Sequence, residues 1–270
     1  MKKTLVIAAA LIVSASAFAQ TVSSANVVGY SQVELVPGYS VIHVPFIDGA
    51  NPLDIQDVMN TSNLTQAASS LSSDKILFWD NVGLKYDVYW LSNGVDGKDV
   101  DPLKEGKWID KATDLVASNS VAPSTGFFFQ RAGSTSVTNL FSGDVVIAET
   151  GTNSITLLEG FSVVANPFSS EFGLNSSITN WVTQGSIAAA SSLSSDKILF
   201  WDNVGLKYDT YWLSNGVDGK DVDPLKEGKW IDKATDLVAS NTIPLNTGFF
   251  YQRVSAPTLT IEIDQPYTLD

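Results

Sequence analysis

The sequence predicts a mainly β protein: two tandem homologous units, each a β-sandwich or open-barrel-like stack of strands, with few short helices. Three observations lead there. Residues 67–119 recur as 189–241, a spacing of 122, with one difference, Val88 against Thr210. Short runs rich in aromatic and β-branched residues alternate with Asn-, Asp- and Gly-containing turn signals. No long amphipathic helical pattern is present.

In chain order, residues 1–19 come first. Lys2 and Lys3, a short apolar run and Ala17-Phe18-Ala19 form a secretory signal pattern, with Gln20 expected to start the mature chain. No later stretch reaches the ~20 apolar residues of a spanning helix, so no transmembrane segment is expected after cleavage. The expected location is therefore secreted or the cell envelope. The repeat divides the remainder into unit 1, residues 20–140, and unit 2, residues 141–270.

Within unit 1, residues 41–46, 75–80, 86–91 and 126–131 are predicted strands. The second and third form a hairpin joined by Asn81-Val82-Gly83-Leu84. The continuous apolar run Gly126-Phe127-Phe128-Phe129 predicts a strand buried on both faces or at a domain interface. Strands are also predicted over 136–147, 154–158 and 258–263, and short helices over 54–59 and 176–182. The repeat loosens outside its core: Gly38-Tyr39-Ser40 is matched by Gly160-Phe161-Ser162, and Thr125-Gly126-Phe127-Phe128 by Thr247-Gly248-Phe249-Phe250. Residues 47–66 and 169–188 share almost nothing.

The segment from Val22 to Tyr30, the Gly-aromatic-Ser…Pro-Phe element, and the Trp-Asp, Tyr-Trp, Lys-Trp-Ile-Asp and Thr-Gly-Phe-Phe strands together resemble uncharacterised secreted β-repeat proteins of Verrucomicrobia and Lentisphaerae-type bacteria. The resemblance implies an exported location and a β fold. It carries over no activity.

The net charge of −13 argues against a nucleic-acid partner, since phosphate contacts need a basic face. The absence of cysteine excludes disulfides, thiolate metal sites and cysteine nucleophiles. His43 is the sole histidine, and Ala165 stands at its place in unit 2. A Ser-His-Asp arrangement would have to be built on His43 alone. Asp80 and Asp87, repeated as Asp202 and Asp209, flank the hairpin turn. As a facing pair they would suit glycoside hydrolysis, although strand-end aspartates ordinarily bond turn backbone. Asp96, Asp99 and Asp101, repeated as Asp218, Asp221 and Asp223, offer hard oxygen ligands without the spacing of a calcium loop. No catalytic residue, metal ligand or cofactor is therefore assigned.

Six of the seven tryptophans lie in the duplicated blocks. On residues 86–91, Tyr86, Val88 and Trp90 share one face. Replacement of Val88 by Thr210 favours an exposed face for them, while the same rings would equally serve to fill a disulfide-free β core. The candidate ligand-binding residues are thus Tyr86, Trp90, Tyr208 and Trp212, whose rings would stack on sugars or on a protein partner. The function expected is an exported, non-catalytic envelope or extracellular structural or interaction protein. The alternative is a bivalent carbohydrate-binding protein, and a secreted glycan hydrolase is third. The expected partner is an extracellular glycan or an envelope protein.

Overall fold

The computed structural model describes residues 27–96, 99–218, 221–255 and 257–268. The expected signal peptide and its cleavage site lie outside the described residues. The first half contributes β1 (Val28–Leu35), β2 (Gly38–Ile42), β3 (Phe46–Asp48), β4 (Asn51–Asp54), β5 (Lys75–Asp80), β6 (Lys85–Leu91), β7 (Val95–Asp96), β8 (Asp99–Val100), β9 (Trp108–Asp110), β10 (Ser120–Val121), β11 (Phe127–Arg131) and β12 (Val137–Val145). The second contributes β13 (Thr152–Leu157), β14 (Gly160–Ala165), β15 (Phe172–Gly173), β16 (Lys197–Asp202), β17 (Lys207–Asp218), β18 (Asp221–Asp232), β19 (Thr242–Ile243), β20 (Gly248–Arg253) and β21 (Leu259–Asp264).

The mainly β class stands, and the sheets are antiparallel and not closed into barrels. In the first half, the sheet β1-β12-β3-β4-β10 faces the sheet β2-β11-β5-β6-β9 across one core. Leu35, Phe46, Leu53 and Phe141 enter it from one side; Ile76, Leu91, Trp108, Phe127 and Phe129 enter from the other. In the second half, β14-β20-β16-β17-β18 packs against the pairs β13-β21 and β15-β19 across a second core. Burial of these side chains is the main stabilising contribution in a chain with no disulfide.

The expected helices are not there. Residues 54–59 leave β4 in a turn: the Asp54 carboxylate accepts from Gln56 N at 2.9 Å, and Asp57 N donates to Asp54 O. Such local bonding competes with a helix. Residues 176–182 form separate turns, and Trp181 is drawn into the second core, its Nε1 donating to Leu174 O at 3.2 Å. The one helical turn among the described residues is the 3₁₀ turn Thr61–Asn63.

The dissimilar segments nevertheless perform one shared task. Gln56 Nε2 donates to Trp108 O and Ala117 O, and Gln56 Oε1 accepts from Trp108 N. Asn175 makes the same three bonds to Trp230 and Ala239. Gln56 and Asn175 do not correspond by the repeat spacing, so one amide clamp is reached from two different backbone positions.

The β5–β6 hairpin forms as predicted, with Trp79 opposite Tyr86 and Asp80 opposite Lys85. Its turn is closed by Asp80 Oδ1, which accepts from Val82 N and Gly83 N at 2.9 and 3.0 Å. Leu84 completes the turn in the left-handed region, with φ of 48°.

The halves meet through the sheets that carry the repeat. Phe128, Val41 and Phe250 form a third apolar cluster, joined by Leu77, Val163, Leu199 and Trp201. The run 126–129 is therefore buried on both sides, with Phe127 and Phe129 in the first core and Phe128 against the second half. Contacts come in repeat-related pairs. Ile42 bridges Thr247 and Val164 bridges Thr125; His43 N donates to Asn246 O at 3.1 Å and Ala165 N to Ser124 O at 2.9 Å. Gly126 and Gly248 sit at this crossing. A Cβ on Gly126 would lie 2.7 Å from Val164 O, and one on Gly248 would lie 2.9 Å from Ile42 O. The Thr-Gly-Phe-Phe motif holds glycine there because the other backbone fills the space.

His43 is buried in this region, and burial lowers its pKa from 6.5 to about 3, opposed in part by the Pro123 carbonyl. The folded protein thus keeps the imidazole neutral where the unfolded chain protonates it. This contribution is fully present above pH 6.5 and is lost as pH falls toward 3. At about 1.36 kcal/mol per pH unit, the loss amounts to roughly 5 kcal/mol. His43→Ala is expected to have a flatter acid limb in urea unfolding followed from pH 7 to 3.5. Parallel pH profiles for variant and parent would contradict this.

Candidate functional site

A partly exposed aromatic surface lies where the two repeat-bearing sheets meet. β5 and β6 present Leu77, Trp79 and Tyr86 on the face turned away from the first core; β16 and β17 present Leu199, Trp201 and Tyr208 likewise. Tyr39 and Phe161, one from each half, stand on the edge strands β2 and β14. These side chains line two adjoining cavities. One, of about 260 Å³, is lined by Trp79, Tyr86, Phe161, Leu199, Tyr208 and Phe250. The other, of about 290 Å³, is lined by Tyr39, Leu77, Tyr86, Phe128, Trp201 and Tyr208. Each draws residues from both halves, and Tyr86 and Tyr208 belong to both.

The rings are held in place by packing and by hydrogen bonds across the halves. Trp79 Nε1 donates to Phe161 O at 2.8 Å, and Trp201 Nε1 donates to Tyr39 O at 2.9 Å. Trp79 meets Tyr86 edge-on at 5.0 Å between centroids, and Trp201 meets Tyr208 in the same way. Phe128 and Phe250 meet at 5.5 Å beneath them. Tyr86 and Tyr208 remain 38% and 40% exposed, so their rings reach solvent from a fixed floor. Partial burial raises the pKa of both phenols, and for Tyr86 the nearby Tyr208 and Tyr39 add to the shift. Both stay neutral hydrogen-bonding groups at neutral pH. No charged side chain lines either cavity.

Of the four candidate ligand-binding residues, Tyr86 and Tyr208 stand in this cleft, and Trp90 and Trp212 do not. Both tryptophans are only 8% exposed, which corrects the exposure inferred from the Val88/Thr210 difference. Trp90 does lie on the same side of β6 as Tyr86, but in the middle of the sheet, opposite Lys75 on β5 and Ile109 on β9. Alternation gives the side of a strand and not what covers it. Tyr39, Phe161, Trp79 and Trp201 were missed as site residues. Their signal was the Gly-aromatic-Ser element kept in both halves, with the tryptophan at the hairpin end.

Several of the other candidates are engaged by the protein itself or closed off from solvent. His43 is fully buried. Asp80 and Asp202 have pKa values lowered by the turn N–H groups they accept, chiefly Gly83 and Gly205, the reverse of what a general acid requires. Asp87 lies 3.5 Å from Lys85 Nζ, and Asp209 equally from Lys207. Asp101 and Asp223 each accept a turn N–H, from Leu103 and Leu225. Among the described residues, no three His, Asp or Glu side chains gather as a metal site. No described helix is long and apolar enough to cross a membrane. Compared with protein-family models, curated proteins and solved structures, the chain matches none.

Proposed function

We propose that this is an exported, non-catalytic binding protein whose aromatic cleft takes a neutral carbohydrate chain. The observation that carries the reading is the pairing of Tyr86 and Tyr208 at the junction of two ring-lined cavities. Fixed aromatic faces suit the C–H faces of sugar rings, and phenolic hydroxyls suit their rims. An uncharged lining on an acidic protein favours a neutral ligand over an anionic one. The cleft is one composite site built by both halves, in place of two separate ring surfaces. Binding one chain per protein is the expected stoichiometry. The carboxylates described above give no support to glycan hydrolysis.

A second reading, an envelope or extracellular structural protein, is favoured by apolar residues exposed at turns in both halves: Val82, Leu84 and Leu103, repeated as Val204, Leu206 and Leu225. An array of neutral and acidic oligosaccharides, probed with the chain starting at Gln20, separates the readings. The carbohydrate reading predicts retention of neutral glycans, with weaker or no retention of acidic ones. No retention, together with self-association in sedimentation, would overturn it in favour of the structural role.

A further inference from the structure

A groove of about 420 Å³, with polar and apolar lining in similar measure and Asp80 at its turn end, opens beside the aromatic cleft and shares Trp79 with it. It runs between the β5–β6 turn and the strands β13 and β14, and includes Asn81, Ser124, Ser154 and Thr156. On β13, Ser154 and Thr156 alternate with the buried Ile155 and Leu157, so their hydroxyls face outward. Asn81 Nδ2 donates to Ser162 Oγ at 3.2 Å, while its Oδ1 is buried without a hydrogen-bond partner.

The repeat-related place in the other half is built differently. Asn246 stands where the first half has Ser124, with a left-handed φ of 62°. Its Oδ1 accepts from Ser31 Oγ at 2.9 Å, and its Nδ2 donates to Gln32 O at 3.2 Å. Gln32 and Glu34 there replace Ser154 and Thr156. The near-symmetric cleft is thus flanked on one side by the Asn246 bridge to Ser31 and the Gln32 carbonyl, and on the other by an open groove whose lining includes small hydroxyl residues.

We infer that the groove is a polyhydroxyl subsite continuous with the aromatic cleft, in which the hydroxyls of Ser124, Ser154 and Thr156 bond those of the ligand. The inference rests on the carbohydrate reading and extends it. The cleft supplies stacking from either half, and the groove supplies hydrogen bonds at one end, so the bound chain has a single direction. Trp79 joins the two, with its ring at the boundary of both cavities.

Binding of the neutral oligosaccharides retained on the array, followed by titration calorimetry, tests it. Ser154→Trp, on an exposed strand position, fills the groove, and Ser124→Ala with Thr156→Val removes two hydroxyls while leaving its shape. Loss of at least tenfold in affinity is expected for the first and a smaller loss for the second. The first variant should keep its affinity for oligosaccharides one or two sugars shorter, which occupy the cleft alone. Unchanged affinity of Ser154→Trp for every length, with its thermal unfolding intact, overturns the subsite and leaves the cleft reading standing. Failure of the parent protein to bind any neutral glycan overturns both.

Discussion

Asp74→Ala is expected to destabilise the protein by about 3–5 kcal/mol, because it strands a buried guanidinium. Asp74 has no solvent exposure and Arg131 very little. The carboxylate takes Arg131 Nη1 and Thr65 N on Oδ2, and Ala132 N on Oδ1. Removing it leaves a charge and two backbone donors unpaired inside the first half. Asp196→Ala should have a similar effect in the second half, where Asp196 takes Arg253 at 3.4 Å, Ile187 N and Val254 N, and also the Tyr251 hydroxyl at 2.9 Å. Burial, with the Asp196 charge adding to it, holds the Tyr251 phenol well above its usual pKa. Urea unfolding measures both. Asp74→Ala combined with Arg131→Met should cost less than Asp74→Ala alone, since it removes the stranded charge. Losses below about 1 kcal/mol for both single variants would contradict the buried-pair account.

Trp90→Ala is expected to cost about 3–5 kcal/mol of stability, as a large buried ring removed from a sheet. Tyr86→Ala, four residues earlier on the same face, should cost far less stability and should act on ligand binding. Chemical denaturation of the two variants shows the contrast directly. Equal, small losses would mean that Trp90 is as accessible as Tyr86.

That contrast also marks how far the sequence could be read. The β5–β6 hairpin was legible because its signals are local: strand-forming residues, an Asp-Asn-Val-Gly turn and a short connection. The burial of 126–129 on both sides was legible because an apolar run without alternation has no face to give to water. The different fates of Tyr86 and Trp90 were not, since both obey the same alternation and the difference lies in distant chain. The cleft was hidden for the same reason. Trp79 reaches Phe161 O and Trp201 reaches Tyr39 O, across 82 and 162 residues of sequence. The amide clamp was hidden because Gln56 and Asn175 occupy unrelated positions in the segments where the repeat fails. The expected helix over 54–59 failed at Asp54, whose carboxylate bonds the second following N–H and turns the chain.

The proposal that the cleft binds carbohydrate is tested most directly by calorimetric titration of a retained neutral oligosaccharide into the double variant Tyr86→Ala/Tyr208→Ala. Both side chains are exposed enough for the fold to survive their truncation, which thermal unfolding checks alongside. The cleft account predicts that binding is lost in this variant and kept in Trp90→Phe/Trp212→Phe. Binding retained at parental affinity in the folded tyrosine variant would contradict it.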